Sequence, residues 1–279
     1  MINHLEKHVL INDTQHGFVG NKSCLTNLLV FMEEITTYLD SGFPVDAIYL
    51  DFQKPFDKVP HRRLISKLQA HGFGENVLRW IESWLYGRQQ RVVLNGQYSD
   101  WKWVLNGVPQ GSVLGPLLFV VYINDIDEQI VSKILKFADD TKLSYCTVTQ
   151  GHRDIAVRSP QISRMVQVLA NALKYMKCKV LHIGFNNPHT DGVKLHLVKE
   201  EKDLGVTVSA DMKWERQCIQ CMEAVKKTNK MLGLIKRNFQ DKSKETVMPL
   251  YKSLVRPHLE YCCQVWSPYL SKDINLIEC

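Results

Sequence analysis

The chain has 279 residues, 45% of them hydrophobic, and a formal net charge of +6; this is ample for a folded core in one large or two smaller domains and excludes a disordered chain. No charged-then-apolar leader opens the sequence, and the longest apolar run, "VLGPLLFVVYI", is too short to span a bilayer and is broken by Gly115 and Pro116, so an intracellular protein off the membrane is expected. The charge is uneven: residues 213 to 256 hold eleven Lys or Arg against four acids, an excess of seven, which fits either a polyanion partner or a solvated helix face.

In chain order, "SCLTNLLVFMEEITTYLDSG" places Leu25, Leu28, Leu29, Met32, Ile35 and Leu39 at helical spacing, and Gly42 stops it. A strand through Ala47, Ile48, Tyr49 and Leu50 ends on Asp51. "HRRLISKLQAHGF" and "ENVLRWIESWLYG" predict two short helices, each closed by a glycine. "RVVLNGQYS" predicts a hairpin turning at Asn95 and Gly96. "GVPQGSVLGPLLFVVYINDI" is a Gly-rich loop entering an apolar helix, and "KILKFADDTKLSY" a hairpin whose tip carries Asp139 and Asp140. A weak helical pattern starts near Ile162, "CKVLHIGF" and "KDLGVTVS" read as strands, and the chain from Trp214 onwards reads as helix. Irregular interleaving of strands and helices predicts an α+β fold rather than a doubly wound one.

The chemistry concentrates on three acids. Asp51 precedes Asp139 by 88 residues, yet a sheet can bring a strand end beside a hairpin tip. Gathered carboxylates repel unless a cation neutralises them, and oxygen-only ligands select hard ions such as Mg²⁺. Taken singly, Asp51 reads more readily as a turn cap and the Asp pair as an exposed tip. "CIQC" puts Cys218 and Cys221 at a metal-type spacing, with Cys178 and His182 as further ligands, but the segment reads as helix and the second pair lacks turn residues. Eight cysteines in a chain of this length read as packed, reduced thiols.

Read in order, "YLDFQKPFDKVPH", "GVPQGSVLGPLLFVVYIND" and "KFADDTKL" resemble the palm motifs of reverse transcriptases of non-long-terminal-repeat retrotransposons, of the chicken-repeat and Jockey kind. "QHGFVGNKSCLTNLL" upstream, and "KCKVLHIG", "EKDLGVTVS" and "YKSLVRPHLEYCCQVWSPY" downstream, resemble the same family in the same order. The resemblance implies a partial fingers remnant over residues 1–45, an antiparallel palm sheet packed on helices over 46–208, and a helical thumb with the start of a C-terminal helical region over 209–279. It implies that Asp51 and Asp139 bind two Mg²⁺, that Asp140 completes the acidic set, and that the Phe52 carbonyl faces the second ion. Phe56 matches the aromatic gate against a 2′-hydroxyl. Pro109, Gln110 and Gly111 match the loop touching nucleotide and template, and Lys177 or Lys179 the lysine near the pyrophosphate. "DLGVTVS" resembles the primer grip, and the basic helices after it, with Lys226, Lys227, Lys230, Lys236 and Arg237, resemble the part that tracks the duplex backbone. The implied partners are an RNA template, a DNA primer and deoxynucleoside triphosphates, in the nucleus or cytoplasm.

Some residues depart from the pattern. Pro55 stands where the family has a small residue whose backbone N–H helps hold the triphosphate, and proline has none. Only about a dozen residues precede "QHGF", no Trp lies between Trp103 and Trp214, and no endonuclease domain is evident. The expectation is therefore an RNA-directed DNA polymerase, with a catalytically impaired nucleic-acid-binding remnant as the alternative. A two-metal nuclease is a weaker third, since it needs neither a sugar gate nor a nucleotide loop.

Overall fold

The computed structural model describes residues 1–52, 54–129, 132–146, 176–184 and 196–278. The weak helical pattern after Ile162 lies outside them. Helix α1 (Ile2–Lys7) opens the chain, and α2 (Cys24–Asp40) starts at a capping box in which the Ser23 hydroxyl accepts from the Thr26 N–H and the Thr26 hydroxyl accepts from the Ser23 N–H. The buried stripe of α2 holds Leu28, Met32 and Ile35 of the expected row and adds Phe31, whereas Leu29 is 40% exposed. Strand β1 (Val45–Phe52) follows, then α3 (His61–Ala70) and α4 (Glu75–Leu85), whose chains turn at Gly72 and Gly87.

Four two-residue strands come next: β2 (Gln89–Gln90), β3 (Val93–Leu94), β4 (Gln97–Tyr98) and β5 (Lys102–Trp103). The β3–β4 turn is the expected Asn95–Gly96 pair, both at positive φ. Helix α5 (Leu114–Ile123) is buried almost all round, as its uniformly apolar sequence requires. Strands β6 (Lys133–Phe137) and β7 (Asp140–Cys146) form the acid-tipped hairpin, and β8 (Met176–Ile183) and β9 (His196–Val198) complete a five-stranded sheet in the order β6-β7-β1-β8-β9. Its ladders are antiparallel except β8–β9.

β1 is the middle strand, and both its faces are covered. Ile48, Leu50 and Phe52 pack with Leu64, Ile81 and Phe119 of α3, α4 and α5. Val45, Ala47 and Tyr49 face Leu28, Phe31 and Ile35 of α2, with Trp266 beyond. The helices within residues 46–208 thus cover one face of the sheet, and α2 and Trp266, from outside that span, cover the other. The near-continuous apolar run of β1 is the sequence trace of this two-sided burial. Cutting a fully buried side chain such as Ile48 back to alanine would cost about 2–5 kcal/mol.

"KDLGVTVS" is not one strand but most of a hairpin, β10 (Glu200–Asp203) and β11 (Val206–Ser209), because Leu204 and Gly205 both take positive φ. It forms a separate two-stranded sheet and packs on α6 (Glu215–Asn238), where the Gln217 side chain accepts from the Thr207 N–H at 2.8 Å. The rest is helical, as expected: α7 (Lys244–Leu254), α8 (Arg256–Leu259), α9 (Cys263–Trp266) and α10 (Ser271–Glu278). No described helix is long and apolar enough to cross a membrane.

Candidate active site at the sheet end

β7 runs beside β1, and the ladder reaches Leu50↔Thr141. One residue further, Asp51 and Asp140 leave adjacent strands at the same end of the sheet, with Asp139 in the turn above them. On the other side of β1, Asp51 pairs with Lys177 and Tyr49 with Lys179 of β8. The side chains of Tyr49, Asp51, Asp140, Lys142, Lys179 and Asp203 line a cavity of about 290 Å³.

The acids feel one another. Burial pushes the Asp139 carboxyl above its ordinary range, and the charge of Asp51 pushes it further. Asp140 is raised to about 6, first by burial, then by Asp139, Asp203 and Asp51, with Lys142 pulling it back. Such a set stores like-charge repulsion that a cation relieves. The Tyr49 hydroxyl, on the cavity wall, is buried with no hydrogen-bond partner among the described residues. Oxygen-only donors with excess negative charge fit a hard divalent ion, although no three described His, Cys, Asp or Glu side chains are gathered into a ready-made cage.

Two lysines organise the cavity wall. Lys142 Nζ meets Asp203 Oδ2 at 2.5 Å, both side chains almost fully buried, and the ammonium sits 4.3 Å over the Phe31 ring. Burial lowers the lysine and raises the aspartate, and each charge holds the other in place. Breaking the pair by removing one partner would cost about 3–5 kcal/mol. It fastens the β10–β11 hairpin to the acid-bearing strand. Sequence reading missed it, although a lysine two residues after the acids, amid Leu143 and Tyr145, is a charge in a strand that buries both faces. Lys179 pairs with Glu201 Oε1 at 2.9 Å, so it reaches the cavity already neutralised by the same hairpin.

The residues expected to meet the nucleotide cluster at one edge. Pro55 starts a 3-10 turn, Pro55–Lys58, after Lys54 at φ +53°; proline suits that first position, so the fold tolerates it. The Phe56 ring stacks on Phe119 with centroids 4.4 Å apart. The loop before α5 is zipped to this turn: Val108 N–H donates to the Phe56 carbonyl and Gly107 N–H to that of Val59, each at 2.8 Å. A Cβ on Gly107 would fall 2.7 Å from the Asp57 backbone, so only glycine permits the approach. Gln110 is exposed and donates to Asp57 Oδ1 at 3.2 Å, with Pro109 half-buried before it and Gly111 exposed at φ +81° after it. Phe52 is buried at the end of β1.

A family model described as "Reverse transcriptase (RNA-dependent DNA polymerase)" matches residues 1–234. The chain belongs to this family. It is 26% identical to a probable RNA-directed DNA polymerase from transposon X-element of Drosophila melanogaster, over 98% of this chain and 31% of that one. It is 30% identical to the RNA-directed DNA polymerase from mobile element jockey of the same species, over 94% and 30%. The chain thus spans about a third of the length of these relatives. An apo telomerase from Candida tropicalis shares the fold, with a TM-score of 0.51 at 12% identity over 75% of this chain and 42% of that one.

In this reverse transcriptase chain the basic side chains sit on α6. At 100° per residue, Lys226, Lys230 and Arg237 lie opposite the buried stripe of Cys221, Thr228 and Ile235, with Lys227 and Lys236 on the flanks, and all five are exposed. The zinc alternative finds no support. Cys178 packs beside the core under α5 while Cys221 belongs to the other core, His182 is held by Asp46 at 2.5 Å, and burial pushes the Cys178 and Cys218 thiols up to about 11, away from the thiolate a metal needs.

Proposed function

We propose that this chain is the polymerase part of a non-long-terminal-repeat retrotransposon and extends a DNA primer on an RNA template with deoxynucleoside triphosphates. The observation that carries the reading is that Asp51 and Asp140, from motifs far apart in sequence, end neighbouring strands on one cavity, with Asp139 in the turn beside them close enough for the Asp51 charge to act on it. In this reading residues 46–208 are the palm and 209–279 the thumb and the start of a C-terminal helical region, with residues before 46 contributing to the fingers. The setting is intracellular, in nucleus or cytoplasm.

Asp51, Asp139 and Asp140 would hold two Mg²⁺, which when bound activate the primer 3′-hydroxyl and stabilise the leaving pyrophosphate. The protein supplies the positioning. Phe56, backed by Phe119, forms a floor that cannot retreat from a 2′-hydroxyl, which favours deoxynucleotides. Gln110, steadied by Asp57, presents its remaining amide atoms to the nucleotide and template. Lys179, shared with Glu201, lies on the cavity wall where a phosphate would compete for it. The outward row of Lys226, Lys230 and Arg237 suits a duplex backbone, with Lys227 and Lys236 beside it.

Primer extension on poly(rA) with an oligo(dT) primer and Mg²⁺ tests the proposal. Extension that needs the metal and disappears in Asp139→Asn is expected; extension indifferent to that substitution would overturn it. Pro55 favours a second reading, a nucleic-acid-binding chain with impaired turnover. Losing one charge-assisted donor to the triphosphate costs about 1.5–3 kcal/mol. Steeply salt-dependent duplex binding without extension, even by Pro55→Ala, would select that reading.

A further inference from the structure

The geometry points to Gln15 as the positioning residue for Asp139, holding the hairpin tip in the shape that presents the carboxylate to the cation; this rests on the metal-binding reading proposed above. Gln15 is 1% exposed and 123 residues from the tip in sequence. Its Oε1 accepts from the Ala138 N–H at 2.8 Å and from the Gly17 N–H at 2.8 Å, while its Nε2 reaches towards the Ala138 carbonyl at 3.4 Å. The amide thereby bonds both backbone groups of Ala138, the residue immediately before Asp139, as a neighbouring strand would.

Ala138 needs such support. It is buried and sits at φ +55°, the left-handed region that alanine disfavours. A buried N–H there without an acceptor would be costly, and the tip would relax to another turn, carrying Asp139 with it. The segment carrying Gln15 is itself fastened down. Lys136 N–H donates to the Thr14 carbonyl and His16 N–H to the Lys136 carbonyl, each at 2.8 Å, so residues 14–16 lie parallel along the outer edge of β6. The Asn27 side chain also donates to the Lys136 carbonyl, and Lys136 Nζ is buried against Asp127 Oδ1 at 2.5 Å. Gly17 closes the contact: a Cβ there would fall 2.2 Å from the Ala138 nitrogen, so only glycine lets the two backbones approach. Every part of "QHG" is thus used against the strand and turn that bear the acid.

A group that orients a metal ligand without touching the metal changes affinity by about 10–100-fold when lost. The test uses Mn²⁺ as the probe, titrated by electron paramagnetic resonance into the full chain, alongside hydrogen exchange at the Ala138 amide. Gln15→Met keeps the length and removes both polar atoms; it should speed Ala138 exchange and weaken Mn²⁺ binding about tenfold or more. Gln15→Glu, protonated in so buried a place, keeps an acceptor for both N–H groups and a donor for the Ala138 carbonyl, and should hold Ala138 protection and Mn²⁺ affinity clearly nearer the parent than Gln15→Met does. If Gln15→Met does not fold, Gln15→Asn, one methylene too short to reach, carries the same expectation. Parent-like Mn²⁺ binding with a loosened Ala138 amide would overturn the inference. Asp139→Asn separates the two readings: if it leaves Mn²⁺ binding unchanged or the parent binds none, the metal site itself is refuted, whereas loss there with none in Gln15→Met refutes Gln15 alone.

Discussion

β1 carries two aspartates five residues apart, on opposite faces, and they live under opposite rules. Asp46 is fully buried and its oxygens are taken: the Tyr145 hydroxyl donates at 2.6 Å and His182 Nδ1 at 2.5 Å. Asp51 is exposed at the strand end; on one side β7 and its turn bring Asp140 and Asp139, and on the other β8 brings Lys177 into register. A carboxylate surrounded by donors stabilises the fold, whereas one surrounded by carboxylates destabilises the metal-free chain and becomes useful only when a cation arrives. On the proposed reading, the same strand spends one acid on stability and keeps the other for the cation.

Removing the functional acid should give the largest effect. Asp139→Asn or Asp51→Asn should reduce primer extension by about a thousandfold or more, because several kcal/mol of transition-state charge stabilisation is lost. Metal-free Asp139→Asn should at the same time melt at a slightly higher temperature, since burial and the Asp51 charge both penalise that carboxylate. A lower melting temperature with extension retained would reverse the comparison.

Asp46→Ala should do the opposite. The buried Tyr145 hydroxyl and the half-buried His182 ring lose their acceptor, a cost of about 3 kcal/mol, read as a lower denaturation midpoint, while Mn²⁺ affinity stays within about twofold of the parent. A large change in metal affinity would mean that the two ends of the strand are not separate.

The pH dependence sharpens the contrast. Asp140 is raised from 3.8 to about 6 in the folded protein, so between these values the folded chain retains a proton that the unfolded chain has released. Its contribution to stability falls as pH rises through that window and stays lost above it. Metal-free parent and Asp140→Asn should melt alike near pH 3.5, and the variant should melt higher above pH about 6. Added Mg²⁺ should close that gap in the parent at neutral pH and do little below the window. A gap that grows towards acid would show that Asp140 is stabilised by partners, as Asp46 is.

Pro55→Ala gives the smallest effect. It restores a backbone donor near Asp51 and should lower the KM for deoxynucleotide by about tenfold at most, with a stability loss of about 0.4–1 kcal/mol from the freer unfolded chain. No change in KM would mean that residue 55 makes no contact with the triphosphate.

Local rules made much of this molecule legible from its residues. Helical spacing marked α2, α3 and α4; Asn95–Gly96 marked one turn and the acids another; the basic excess marked α6 and the helices after it, because periodicity, turn chemistry and charge act over a few residues. The Leu204–Gly205 turn was missed because a left-handed leucine carries no such signature. Three acids in two distant motifs could be named as candidates, but their meeting could not be read, since strand pairing across 88 residues leaves no local trace. Tertiary structure alone decided which helices cover the two faces of β1, that Lys142 is buried against Asp203 and that Lys179 is shared with Glu201. It alone put the Gln15 amide on the backbone of Ala138. Each of these is a polar or apolar group satisfied by a partner far along the chain, and a burial cost is settled only when the fold supplies that partner.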